Sequence, residues 1–316
     1  MVANDGCFGL CGHPSYPSAA AGSRPFQLIH DMSEQEESLE TEDWQKKQEM
    51  DALLCQAMDS LSLEERQKQK EILHGIDNSD VEDAALVDRA MEDLDVQLGT
   101  IKHNSMYEVA ERINADYVSA RSFRVMFLRA NDHDPKASAE QMLRFFDLKY
   151  QLFGIEKLVE DITLADLNAD DIARLKTGRV QLAGRDKSGR LVMTHFAGTV
   201  DSVESWMRVL FFVRMRALQV EDTQLRGVVA IWCALGDYKS TTNGKGYFEI
   251  FKAGKAIPLK RAAVHCCTDE MRQFVLSNVM VKLMKSNTMA RLRVHYGSPM
   301  ECQYQLSTFG IQSFQT

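Results

Sequence analysis

The chain has no apolar run approaching the ~20 residues that a membrane helix needs. Its first residues contain no apolar h-region, so a secretory leader is not expected. Val2 stands where myristoylation needs glycine, and the end Phe314-Gln315-Thr316 lacks a prenylation cysteine. Any membrane contact is therefore expected to be peripheral. The seven cysteines are odd in number and irregularly spaced, which argues against a disulfide framework and for a reducing, cytosolic compartment. Cys7, Cys11 and His13 have no second pair to complete a four-ligand zinc site. Neither a G-x-S-x-G elbow, a P-loop, a G-x-G-x-x-G nor an H-E-x-x-H occurs. No metal, no cofactor and no enzyme of those classes is expected.

What is present is an ordinary globular composition, 45% hydrophobic and 26% charged, in 316 residues. That length fits one large domain or two modest ones. The net charge of −8 is divided unevenly. Residues 1–120 carry 9 Lys and Arg against 25 Asp and Glu, whereas residues 121–316 carry 28 against 20. One reading is that the acidic helices are acidic only because they are solvated. The alternative is a basic half drawn to anionic leaflets, at ~1 kcal/mol per well-placed cation. Nucleic acid is not expected, since no reader motif or basic–aromatic interleaving is present.

Residues 1–38, rich in Gly, Ser, Pro and Ala, read as a disordered tail. Residues 39–116 read as an acidic, all-helical segment. Met50, Leu53, Leu54 and Ala57 recur at helical spacing, and Ser62-Leu63-Glu64-Glu65 is a capping box for a helix that Gly75 ends. Two more helices are expected over 80–98 and 105–116. Residues 117–176 form a further helical unit, with Phe123 and Phe127 one turn apart. In its second helix, opened by Pro135, Ala139, Met142, Leu143, Phe146, Tyr150 and Phe153 form a stripe. Residues 177–316 then change period. Strands over 179–183 and 191–196 flank the turn Asp186-Lys187-Ser188-Gly189. A helix from Ser202, buried strands at 228–233 and 262–267, a helix over 269–284 and a strand at 292–296 follow. This alternation predicts an α/β fold with a mostly parallel sheet flanked by helices.

Five pieces in collinear order resemble the CRAL-TRIO (Sec14-like) lipid-binding family over about 190 residues, Tyr117 to Gln312. Ser122–Ala130 (SFRVMFLRA) is similar to the family's apolar helix ending in F-L-R-A-R. Gly184–Arg190 (GRDKSGR) is similar to its G-x-D-x-x-G-R-P-V turn, with Leu191 in place of the proline. Val228–Ile231, Pro258–His265 and the late segments at 291–295 and 308–311 follow in order, although no Asp ends the first strand and Cys266-Cys267-Thr268 replaces an N-x-P. The resemblance implies an intracellular carrier, monomeric and non-catalytic. One lipid would sit in an apolar cavity beneath a mobile helical lid, and the protein would visit anionic membrane surfaces.

The cavity wall implied by that resemblance comprises Val229, Ile231 and Cys233, which share one strand face, with Val264 and Cys266 of the next strand. Met271, Phe274, Val275, Met280 and Leu283 would line the lid, and Arg272, Lys282 and Lys285 would meet phosphates. Ordinary core packing is the competing reading of each. The ligand stays open among phosphoinositide, tocopherol, sterol and retinoid classes. One alternative is a protein-interaction module whose cavity is collapsed. A remote one is a cysteine-dependent phosphatase, because His265-Cys266 and Arg272 satisfy H-C-x5-R. That loop lacks glycine, and Asp269 and Glu270 would repel a phosphate dianion. His195 and His295 read as structural, and Asp166, Asp170 and Asp171 as helix caps and solvated face rather than a metal cluster.

Overall fold

The computed structural model describes residues 45, 48–76, 82–101, 105–198, 200–235, 245–269 and 286–312. All but Gln45 belong to one compact unit spanning Lys46–Thr316. The expected tail 1–38, with Cys7, Cys11 and His13, lies outside the described residues, as does most of the expected lid helix.

A helical stretch over 48–59 is followed by α1 (Leu63–His74), α2 (Ala84–Thr100), α3 (Met106–Ile113), α4 (Ala115–Ser119), α5 (Arg121–Ala130), α6 (Pro135–Phe153) and α7 (Ala169–Lys176). Local signals explain most of their ends. Ser62 and Glu65 close a reciprocal capping box on α1, and Gly75, at φ 65°, ends it in the left-handed conformation. The helix expected over 105–116 breaks at Asn114, whose side chain accepts from Tyr117 N and caps α4. Pro135 and Asp134 open α6, and Gly154 closes it.

The α/β part continues with β1 (Val180–Arg185), β2 (Leu191–Phe196), α8 (Val203–Leu218), α9 (Glu221–Arg226), β3 (Val228–Ala234), α10 (Lys245–Ala253), β4 (Arg261–Thr268), α11 (Ser286–Ala290), β5 (Leu292–Tyr296) and α12 (Pro299–Ser307). The five strands lie in the order of the sequence. β1 is antiparallel to β2, as its hairpin requires, and the other pairings are parallel. Right-handed crossovers that each move one strand onward fall on one face of a sheet, and the described parts of the β2–β3 and β3–β4 connections do so. There α8 and residues 250–259 join α2, α5 and α6 in one core with Met193 and Val228, built around Phe127, Phe145, Phe146 and Phe211. The other face is covered by the flanks of the chain: Leu73 of α1, Cys302 and Leu306 of α12, and Ile311.

The acidic segment is not merely solvated. Along α2 and the residue before its cap, Glu82, Asp88 and Asp95 pair with Arg129, Arg121 and Arg124 of α5. Arg129 donates to Glu82 through Nε and Nη2, at 3.0 and 2.6 Å, and to Glu221 at 2.8 Å.

One turn joins both flanks to the sheet. Asp186 accepts from Ser188 N and Arg190 N at 3.0 and 2.8 Å, and from Arg190 Nε at 2.8 Å. The Arg190 guanidinium donates onward to Ile72 O and Leu73 O in the last turn of α1, where a cation also meets the negative end of the helix dipole. Lys187 N donates to Gly310 O at 2.8 Å. Gly75 packs so closely here that a Cβ would stand 2.1 Å from Ser188 Oγ.

Both charges of the Asp186–Arg190 pair are buried, at 6% and 5% exposure, so losing one strands the other. Arg190→Met should lower the unfolding free energy by about 3–5 kcal/mol in urea titrations. Asp186→Leu combined with Arg190→Met should recover much of that loss.

Candidate functional site

The structure divides the cavity wall inferred from the sequence. Val229, Ile231 and Cys233 do share a face, but they are 0–5% exposed and packed against Leu73, Cys302, Leu306 and Ile311. Val264 and Cys266 face the other way. Parallel pairing sets Val264 beside Ala230 and Cys266 beside Trp232, and both pack toward Met50 and Leu54. The cause is a register shift between Val228 and Val229, which slips one residue of β4 and inverts its alternation relative to β3. Met271, Arg272, Phe274, Val275, Met280, Lys282, Leu283 and Lys285 lie outside the described residues.

Cys266 does not sit in a phosphate-cradling loop. β4 runs on to Thr268, so Cys266 belongs to the sheet ladder. Burial, reinforced by Cys233, pushes its thiol up to about 12, away from the thiolate that nucleophilic catalysis needs. His265 Nδ1 and His295 Nε2 are 2.8 Å apart, with the rings stacked at 5.1 Å and Phe309 edge-on to His265. Burial, with His295 and Arg293 adding to it, depresses His265 to about 3. Burial, then Arg214 and Arg261, does the same to His195, which stacks on Trp232. Asp166 and Asp171 complete capping boxes, and Asp171 also accepts from Arg208 at 2.7 Å. Among the described residues no group of His, Cys, Asp and Glu could hold a metal ion.

Two cavities adjoin the helix-covered side of the sheet. At the carboxyl ends of β2 and β3, Trp206, Leu210, Val200, Phe196, Trp232 and Ile250 enclose an apolar space of about 90 Å³, with Arg179 stacked 4.5 Å over Trp206. A larger cleft of about 360 Å³ opens between α5, α6 and α8. Its floor is Phe123, Met126, Phe145, Phe211 and Met215, and its polar groups include Tyr117, Ser122, Lys149, Asp161 and Arg216.

Lys149 is the unusual member. It follows Met142, Phe145 and Phe146 at helical spacing, so α6 turns it inward, and it is 1% exposed. The expected stripe instead included Tyr150, which is 44% exposed. Lys149 Nζ donates to Glu160 O at 2.5 Å and Tyr117 Oη at 3.1 Å. An ammonium has three donors, so one is not taken up among the described residues. Burial lowers its pKa to about 8, against the opposing pull of Asp161 and Glu160. Burial and then Asp161 push the Tyr117 hydroxyl upward, which keeps it a neutral donor. The arrangement suits an apolar body carrying a single acceptor or anionic end. Sequence reading missed it because a lone lysine in an amphipathic helix is ordinarily assigned to solvent.

No protein-family model matches the chain, and a comparison with curated proteins finds no match.

His265 and His195, the most strongly depressed of four lowered histidines among the described residues, give a signed pH dependence. Unfolded histidine titrates near 6.5, so the unfolded chain binds more protons below that value. Stability is therefore complete above about pH 6.5 and falls as pH drops toward 3, by up to roughly 1.4 kcal/mol per unit for each histidine. Urea midpoints should fall from pH 7.5 to 5.5, and His265→Asn should flatten the slope. Equal midpoints across that range would refute the buried neutral assignment.

Proposed function

We propose that this chain is a non-catalytic binder of one amphipathic, lipid-like molecule, seated in the cleft between α5, α6 and α8. The observation that carries the reading is an apolar phenylalanine–methionine floor beside a buried ammonium with a donor to spare. The cleft volume falls within the ~300–1,000 Å³ range of small-molecule sites. Each buried methylene contributes ~0.8 kcal/mol, and methionines adapt to irregular chains. A charge-assisted hydrogen bond from Lys149 would add ~1.5–3 kcal/mol and select a carboxylate or similar head. The resemblance to CRAL-TRIO proteins supports the same class of function, with the ligand exchanged at membranes that the chain visits peripherally. No helix among the described residues is long and apolar enough to cross a membrane.

A second reading has its own support. Both sheet faces are packed, and the aromatic space at the strand ends is only about 90 Å³. That favours a protein-interaction module with a collapsed cavity.

Native mass spectrometry of the full chain, with lipid extraction and with added oleate, separates the two. The carrier reading expects near-unit stoichiometry. Lys149→Met should weaken oleate at least tenfold but leave oleyl alcohol unchanged, and Met215→Trp should block both. A folded chain that takes up neither probe, nor any lipid from mixed vesicles, leaves the interaction module.

A further inference from the structure

A third, chemically different pocket of about 270 Å³ lies where the α5–α6 turn, the strap before β4 and the α11–β5 junction meet. Arg144, Lys255, Lys260, Arg261 and Arg291 line it against a single carboxylate, Asp132. These cations come from separate parts of the sequence, so the fold assembles the positive charge here. Asp132 is held by Lys260, at 3.0 Å from its Nζ, and is itself largely exposed. Arg144 pairs with Glu140 at 3.6 Å, whereas the guanidiniums of Arg261 and Arg291 are less well answered. Arg291 donates through Nη2 to Arg261 O at 3.0 Å and through Nη1 to Gln69, while its buried Nε meets no acceptor among the described residues. Among the described residues the Arg261 side chain makes no hydrogen bond or ion pair, and its guanidinium lies 5.8 Å from the centre of the Phe251 ring. Behind it Arg214, 4% exposed, donates to Gly254 O at 3.2 Å, and its buried Nε has no partner among the described residues. Gln141 fastens the strap by donating to Lys255 O and Ile257 O, which holds the cationic wall in place.

A part-buried guanidinium without a directly paired counter-ion is costly, and among the described residues only Asp132, itself held by Lys260, lies near enough to offset it. Guanidinium forks match the tetrahedral oxygens of phosphate two at a time, which a lone carboxylate on the rim does not. We propose that this pocket binds a phosphate monoester, with Arg261 and Arg291 as its forks and Lys260 and Arg144 at its rim. The phosphate belongs either to a soluble metabolite or to a lipid headgroup, and both present the same dianionic group.

The test uses the full chain. Thermal unfolding and calorimetry are run with inorganic phosphate and with glycerol 3-phosphate, against chloride at equal ionic strength. Co-sedimentation is run with phosphatidylcholine vesicles, with and without phosphatidic acid. Phosphate-specific stabilisation by the soluble probes assigns a metabolite. A response only to vesicles containing phosphatidic acid assigns a headgroup. In either case Arg261→Gln and Arg144→Gln should each weaken binding at least tenfold, while Arg112→Gln, on the distant α3, should not. Arg261→Gln should also unfold no earlier than the parent chain without phosphate, because it removes an uncompensated charge. No response to any probe, or equal binding by the parent and Arg261→Gln, overturns the site.

Discussion

The ion pair between Asp186 and Arg190 is the point at which the molecule is tied together. Within the turn, Asp186 organises two backbone N–H groups and fixes the guanidinium. Arg190 then holds the end of α1, and the neighbouring Lys187 N–H holds Gly310 beyond α12. The helices of one sheet face are thus both anchored to the β1–β2 hairpin, and His74 stacks on Phe309 between them. Without that anchor, Val229, Ile231 and Ala263 lose the cover that makes them core. A motif that reads as a hairpin turn is also the clasp for two distant segments.

Charge elsewhere obeys the same logic and marks the exceptions. Arg129 meets Glu82 and Glu221, Arg208 meets Asp171, and Arg121 and Arg124 meet Asp88 and Asp95. The acidic first half thereby supplies counter-ions for part of the basic second half, which reduces the positive charge left for a membrane. Lys149, Arg214 and Arg291 are different, because backbone carbonyls and neutral side chains are their main partners. Cations that the fold buries without neutralising are where an external acceptor has most to contribute.

Much of the architecture was legible in the sequence, because its signals are local. The α1 capping box and its glycine, Pro135 at the start of α6, the 186–189 turn and the apolar run of β3 all act within a few residues. The α12 start was equally visible in Ser298-Pro299-Met300-Glu301, another capping box, but went unread. What stayed hidden depends on distance. The β3–β4 slip that separates Val264 from Val229 belongs to the pair of strands, and neither strand alone encodes it visibly. Lys149 is buried because residues 117 and 160 come to meet it, and the 261–291 cationic wall exists only after folding.

The winding of the sheet has a consequence for synthesis. Strands laid down in chain order let each new strand dock on the one just before it, so the sheet can grow as the chain leaves the ribosome. α1 cannot join in step, since the arginine that receives Ile72 lies 118 residues later. At about 5–20 residues per second, that is a wait of roughly 6–24 seconds. α1 is suited to waiting. Its ends are closed by its own side chains and glycine, and apart from Ile72 and Leu73 few of its apolar groups need shelter. It can persist as a solvated nascent helix until the hairpin that clasps it has been made.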